Sequence, residues 1–158
     1  MKESKTIFTA LMLCITLVTV FTSCSDKEDG PTAPAAKSIA GVYNGDMTCS
    51  VMGSESVFED LTVDVAAVDD VTVSVAVSAF GNPPMQVSPI LITGVKVSGS
   101  DGTYSLASTQ FSGTNEAGKA YSGTLQGDFA DDVLTLRMNL QYGAMPMPMI
   151  CTFSAHNQ

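Results

Sequence analysis

Beyond about residue 40, apolar residues return at every second position through most of the chain. Val57, Glu59, Leu61, Val63 and Val65 share one parity, and Val71, Val73, Val75 and Val77 repeat the spacing against Thr72, Ser74 and Ser78. Tyr121, Gly123, Leu125, Gly127 and Phe129 do the same, as do Leu134, Leu136, Met138, Leu140 and Tyr142. Successive side chains of a β-strand point to opposite faces, so each run predicts a strand with one buried and one wet face. No window carries a convincing helical period. Turn-forming clusters separate the runs at Met52-Gly53-Ser54, Asp69-Asp70, Gly81-Asn82-Pro83-Pro84, Ser100-Asp101-Gly102, Gly113-Thr114-Asn115-Glu116, Asp131-Asp132 and Gly143-Ala144-Met145-Pro146.

The pattern predicts eight strands over 41–51, 56–67, 70–79, 86–97, 103–112, 119–129, 132–142 and 147–154. Their connections are too short for a crossover helix, so neighbouring strands run antiparallel, up and down. An open sheet of that size would expose two unpaired edges, and closure into a single all-β barrel removes them. A two-sheet sandwich is the alternative, and it needs longer links than the turns provide.

The N-terminal region is of another kind. Lys2, Glu3 and Lys5 precede a mostly apolar run from Ile7 to Phe21, the length of a signal-peptide core and short for a membrane helix. It closes in Phe21-Thr22-Ser23-Cys24, which resembles a bacterial lipobox and predicts lipidation at Cys24. Ser25-Asp26-Lys27-Glu28-Asp29 resembles the acidic tag of surface-exposed lipoproteins, and the Pro-rich stretch 30–36 reads as a spacer. The expected organisation is a signal peptide over 1–23, a lipidated, disordered linker over 24–38 and one domain over 39–158, held at the outer membrane through Cys24. With 16 acidic against 7 basic residues and a net charge of −9, the chain lacks the basic face that nucleic acid requires. Its membrane partner is reached through the covalent lipid, not through charge.

Three segments carry a family likeness. Ala40-Gly41-Val42-Tyr43-Asn44-Gly45, Tyr121-Ser122-Gly123-Thr124-Leu125 and Met145-Pro146-Met147-Pro148-Met149 resemble the calycin-like, lipocalin-related barrel domains of bacterial lipoproteins. The resemblance implies an eight-stranded barrel and no general activity. The chain has no tryptophan, and so lacks the Gly-x-Trp of true lipocalins, whose ligand chemistry does not carry over.

In an eight-strand closed barrel the first and last strands are neighbours, which brings Cys49 and Cys151 to one seam. They are candidates for a disulfide, with two buried thiols as the equal alternative. Catalytic signals are weak. His156 is the only histidine and sits at the C-terminal end, so no Ser-His-Asp or Cys-His set can be built without it. The adjacent acids fall mostly at turns, the calcium-loop spacing is absent, and the alternation of Met145, Met147 and Met149 with prolines reads as core packing, with Met147 and Met149 inside the barrel, more than as a copper site. A non-enzyme with no cofactor and no metal is expected.

Alternation of strands sorts the turns into two ends. One collects Asp69, Asp70, Asp101, Asp131 and Asp132 as a solvated rim. The other presents Met52, Phe80, Pro84, Met85, Tyr142 and Met145, the candidate patch for a ligand or partner. The expected role is binding of a small apolar ligand in or over the barrel mouth. The alternative is a protein-interaction or structural subunit with a filled interior. Interior volume discriminates the two: Gly94, Gly123 and Gly127 would open it, whereas Met47, Phe129, Met138, Met147, Met149 and Phe153 would close it.

Overall fold

The computed structural model describes residues 33–157, so the signal segment, Cys24 and the linker up to residue 32 lie outside the described residues. Eight strands follow one short helix: α1 (Ala35–Ser38), β1 (Gly41–Val51), β2 (Ser54–Asp69), β3 (Thr72–Val77), β4 (Ile90–Ser100), β5 (Thr103–Thr114), β6 (Ala120–Ala130), β7 (Val133–Tyr142) and β8 (Met149–His156). Each strand pairs antiparallel with the next, and β1 pairs with β8 to close the barrel. The up-and-down barrel expected from the alternation is the fold observed.

Inward side chains stack in layers that run around the barrel. One layer joins Leu106, Gly127, Leu136, Phe153 and Met47 through directly opposed positions on five successive strands. Another joins Phe111, Gly123, Leu140 and Met149. A Cβ on Gly123 would lie 2.9 Å from the Phe111 ring, and one on Gly127 would lie 2.7 Å from a Leu136 methyl. The space vacated by these glycines is therefore taken by neighbours. Tyr43, Val63, Val75, Ile92, Leu140 and Phe153 have essentially no water-accessible surface, which a ligand-sized void beside them would have created. The inward residues form one continuous apolar cluster, as an eight-strand barrel allows.

Strict alternation would not keep apolar residues inside on strongly curved strands, and bulges correct the phase. In β2, Gly45 and Met47 of β1 face Leu61 and Phe58, so one extra residue is inserted where Asp60 adopts φ +55°. The insertion reverses the expected parity of that segment. Phe58 turns inward against Phe80, with ring centroids 5.4 Å apart, while Val57 is 59% exposed. In β4, Gly94 at φ +76° separates Ile92 from Val95 so that both point inward. Gly94 thus turns the strand and does not open the interior. A third shift lies between Leu106 and Thr109 of β5.

The acidic end is closed by the chain itself. Ala36 and Ile39 are fully buried, the Ala36 amide donates to the Asp70 carbonyl at 3.1 Å, and the Tyr43 hydroxyl donates to the Ile39 carbonyl at 2.7 Å. Lys37 adds an exposed ion pair with Asp70 at 3.8 Å. The end of the segment read as linker, Ala35–Ser38, thus packs on the barrel. The reason is burial: Ala36 and Ile39 supply the apolar cover that the strand ends lack.

At the seam, Cys49 faces Cys151 directly, both buried, with Sγ atoms 2.6 Å apart and both thiols free. The neighbouring Cys49 and burial together push the Cys151 thiol well above its ordinary range.

Two outcomes follow from this packing. Gly94→Val should lower stability by about 1–3 kcal/mol, because a β-branched residue is strained at positive φ; an unchanged urea midpoint would show that β4 reaches its phase without this bulge. Tyr43→Phe should cost about 1–3 kcal/mol by orphaning the Ile39 carbonyl. Burial, with the Asp132 charge second, raises the Tyr43 phenol from 10.0 to about 12. The unfolded chain thus releases this proton first, so the contribution is whole below about pH 10 and is lost as pH rises towards about 12. The stability gap between the wild type and Tyr43→Phe should narrow across that window, as measured by denaturant unfolding.

Candidate functional site

Four connections meet at the end opposite α1: those following β1, β3, β5 and β7. The β3–β4 connection folds back on itself, with Phe80 and Val87 paired by reciprocal backbone hydrogen bonds of 3.1 and 2.8 Å. Both side chains are buried. Phe80 is only 4% exposed and packs on Phe58, so it belongs to the core and not to the exposed patch expected for it. A bulky aromatic beside Gly81 reads as a loop tip in sequence, whereas the fold-back of the loop carries it inward.

Pro84, Met85, Tyr142 and Met145 do come together. With Gln86, Lys119, Gly143, Ala144 and Pro146 they line an open hollow of about 510 Å³, within the range of small-molecule sites. Met52 stands apart at the β1–β2 turn, 82% exposed, and contributes nothing to this lining. Met147 is 45% exposed and does not fill the barrel as expected, whereas Met47, Met138 and Met149 do. The two prolines flanking Met147 keep it out of the β8 ladder, which starts at Met149.

A polar knot supports one wall of the hollow. The Tyr142 hydroxyl donates to Ser88 Oγ at 3.2 Å and accepts from the Asn115 amide at 2.8 Å and the Ser88 N–H at 3.2 Å. Asn115 also donates to Ser88 Oγ at 3.0 Å, and its carbonyl oxygen accepts from the Lys119 N–H at 2.8 Å. Burial acts to raise the Tyr142 phenol, but the hydrogen bonds from Ser88 and Asn115, helped by the Lys119 charge, outweigh it and hold the pKa below its ordinary value. The Lys119 ammonium lies 5.8 Å from the Tyr142 ring centroid. Gln141 donates to the Met145 carbonyl, and the Gly143 amide donates to the Ala120 carbonyl at 2.7 Å, which fixes the opposite lip.

Ser88, Asn115 and Lys119 escaped the reading of the sequence. Ser88 lies on the β3–β4 connection and Asn115 and Lys119 on the β5–β6 connection, and no local spacing relates either to Tyr142.

The acidic end offers a different arrangement. Asp69 accepts from the Val71 amide at 2.9 Å, a bond that lowers its pKa, and Asp101, Asp131 and Asp132 occupy positive-φ turn positions. These residues form the turns of that end. Among the described residues no group of three or more His, Cys, Asp or Glu side chains is placed to hold a metal ion. His156 is exposed at the end of β8, opposite Val133.

A closed eight-stranded up-and-down barrel, with a filled interior and a loop-built hollow at one mouth, defines the class. The chain belongs to the calycin-like beta-barrel domain family, which matches residues 39–155 and agrees with the resemblance carried by the first strand, β6 and the approach to β8. The fold is also similar to a crystal structure from Bacteroides fragilis, of a protein provisionally named as an outer membrane protein. That similarity has a TM-score of 0.69 and 20% identity, covering 79% of this chain and 53% of that one. The present chain thus spans about half the length of its structural neighbour. No curated protein matches it significantly.

The knot and the lip make separable demands. Tyr142→Phe should cost about 1–3 kcal/mol, since the Ser88 N–H and the Asn115 amide lose their shared acceptor. Met85→Asp on the exposed lip should stay within about 0.5 kcal/mol of wild type. Phe80→Ala should cost about 3–5 kcal/mol as a core deletion. Urea midpoints for the three variants test the assignment, and a small loss at Phe80 would place that ring outside the core.

Proposed function

We propose that this chain is a lipid-anchored outer-membrane protein with a non-catalytic binding role, taking a small apolar ligand in the hollow at the barrel mouth. The supporting observation is the coincidence of a filled interior with a preformed hollow whose lips carry Pro84, Met85, Met145 and Pro146. Binding over the mouth, not inside the barrel, is the form of the reading compatible with that packing. Proline-rich lips lower the ordering cost of holding an apolar surface open. The outer-membrane assignment leans on the lipobox-like Thr22-Ser23-Cys24 and on the name given to the Bacteroides fragilis neighbour.

A second reading has its own support. A barrel packed with side chains is what a structural or protein-interaction subunit of an outer-membrane assembly would need, and the same exposed methionines would then meet a protein.

The decisive measurement is uptake of the neutral dye Nile red by the native protein. Binding should be at least tenfold weaker in the Met85→Asp, Met145→Asp double variant with the urea midpoint little changed. Absence of dye uptake by the wild type would favour the interaction reading. Cys24→Ala should move the protein from the membrane to the soluble fraction, because the acidic domain offers anionic lipid no electrostatic grip; retention in the membrane would defeat the anchoring.

Export would also place the seam in an oxidising compartment. There Cys49 and Cys151 form a disulfide, each thiol giving up one proton and one electron to a disulfide-exchange oxidant. Two titratable thiols in denatured protein purified from membranes without reductant would overturn the bridge and leave the barrel untouched.

A further inference from the structure

We infer that the ligand of the mouth hollow is an amphipathic anion, its apolar body lying on Met85, Met145 and Pro84 and its charged head on the Lys119 ammonium. This rests on the binding role proposed above and adds the chemistry of the ligand.

The chain is strongly acidic, with a net charge of −9, and a lysine on the wall of its apolar hollow runs against that average. Among the described residues the single ion pair is Lys37 with Asp70, at the far end of the barrel. Lys119 therefore has no carboxylate within 4 Å, although Glu116 precedes it by three residues in the same turn. Its backbone is fixed by the Asn115 side chain and its ammonium lies near the Tyr142 ring, so the charge is held beside the hollow before any ligand arrives. Desolvating a lone cation under an apolar ligand is costly, whereas an anionic head group offsets that cost with a charge-assisted hydrogen bond. A neutral apolar molecule would forgo this gain. A dianionic polar molecule would leave the methionine and proline lips unused.

The test compares two dyes of similar bulk: anionic 1-anilinonaphthalene-8-sulfonate and neutral Nile red. Lys119→Met keeps the aliphatic stem and removes the charge. It should weaken the sulfonate dye about threefold to tenfold and leave Nile red within twofold of wild type, while Lys119→Arg should retain both. Decanoate should displace the sulfonate dye from the wild type at lower concentration than decanol, and Lys119→Met should erase that preference. Equal affinity of wild type and Lys119→Met for the sulfonate dye, or equal weakening of both dyes, would overturn the anionic head group while the apolar hollow stands. Failure of both dyes to bind the wild type would defeat the binding role itself.

Discussion

Closure of the sheet is the constraint from which the rest of the molecule follows. Once β1 pairs with β8, no strand edge remains, and every inward position must be filled from within one cylinder. The sequence meets that demand with rings of opposed residues whose sizes compensate. Gly127 stands beside Leu136, Leu106 and Phe153, and Gly123 stands beside Phe111 and Leu140. Small residues in these rings are not vacancies. They are what lets a large neighbour cross the axis, and the filled interior confines any ligand to the outside of the barrel.

The same closure explains why the strands are not uniform. A closed, tilted sheet bends its strands, and a bend is made by an inserted residue that also flips the following side chains. At Asp60 the flip exposes Val57 and buries Phe58, which in turn provides the surface on which Phe80 packs. Phe80 then holds the β3–β4 connection down against the barrel, and the tip of that connection supplies Pro84 and Met85 to the hollow. One backbone irregularity near the middle of β2 thus helps set the form of the mouth.

The parts legible in the sequence were those governed by local period and by turn chemistry. Eight strands, their antiparallel order and the opposition of Cys49 to Cys151 all follow from alternation and strand count, and all are present. What was lost depends on bulges and on contacts between distant connections. The positive φ of Asp60 has no counterpart in composition, since aspartate there looks like one more polar residue on the wet face. Burial of Ala36 was hidden because an Ala- and Pro-rich segment reads as spacer unless the hole it covers is known. Ser88, Asn115 and Lys119 belong to Tyr142 only after three loops have been brought to one end, which no short-range pattern encodes.

The two ends of the barrel differ in a way that favours the mouth as the place of function. At the acidic end, main-chain hydrogen bonds, the buried Ile39 side chain and the Tyr43 hydroxyl close the cylinder with the chain's own residues, and the aspartates are engaged in forming turns. At the other end, part-buried polar groups tie the connections to one another: the Tyr142 hydroxyl with Ser88 and Asn115, and Gln141 with the Met145 carbonyl. The Tyr142 hydroxyl makes three hydrogen bonds, with the Ser88 hydroxyl, the Ser88 N–H and the Asn115 amide. Here it fixes the wall of an open, apolar hollow and seats a cation beside it. On the reading proposed above, the exposed methionines and prolines around this lysine are the surface that would meet a partly apolar, oppositely charged molecule.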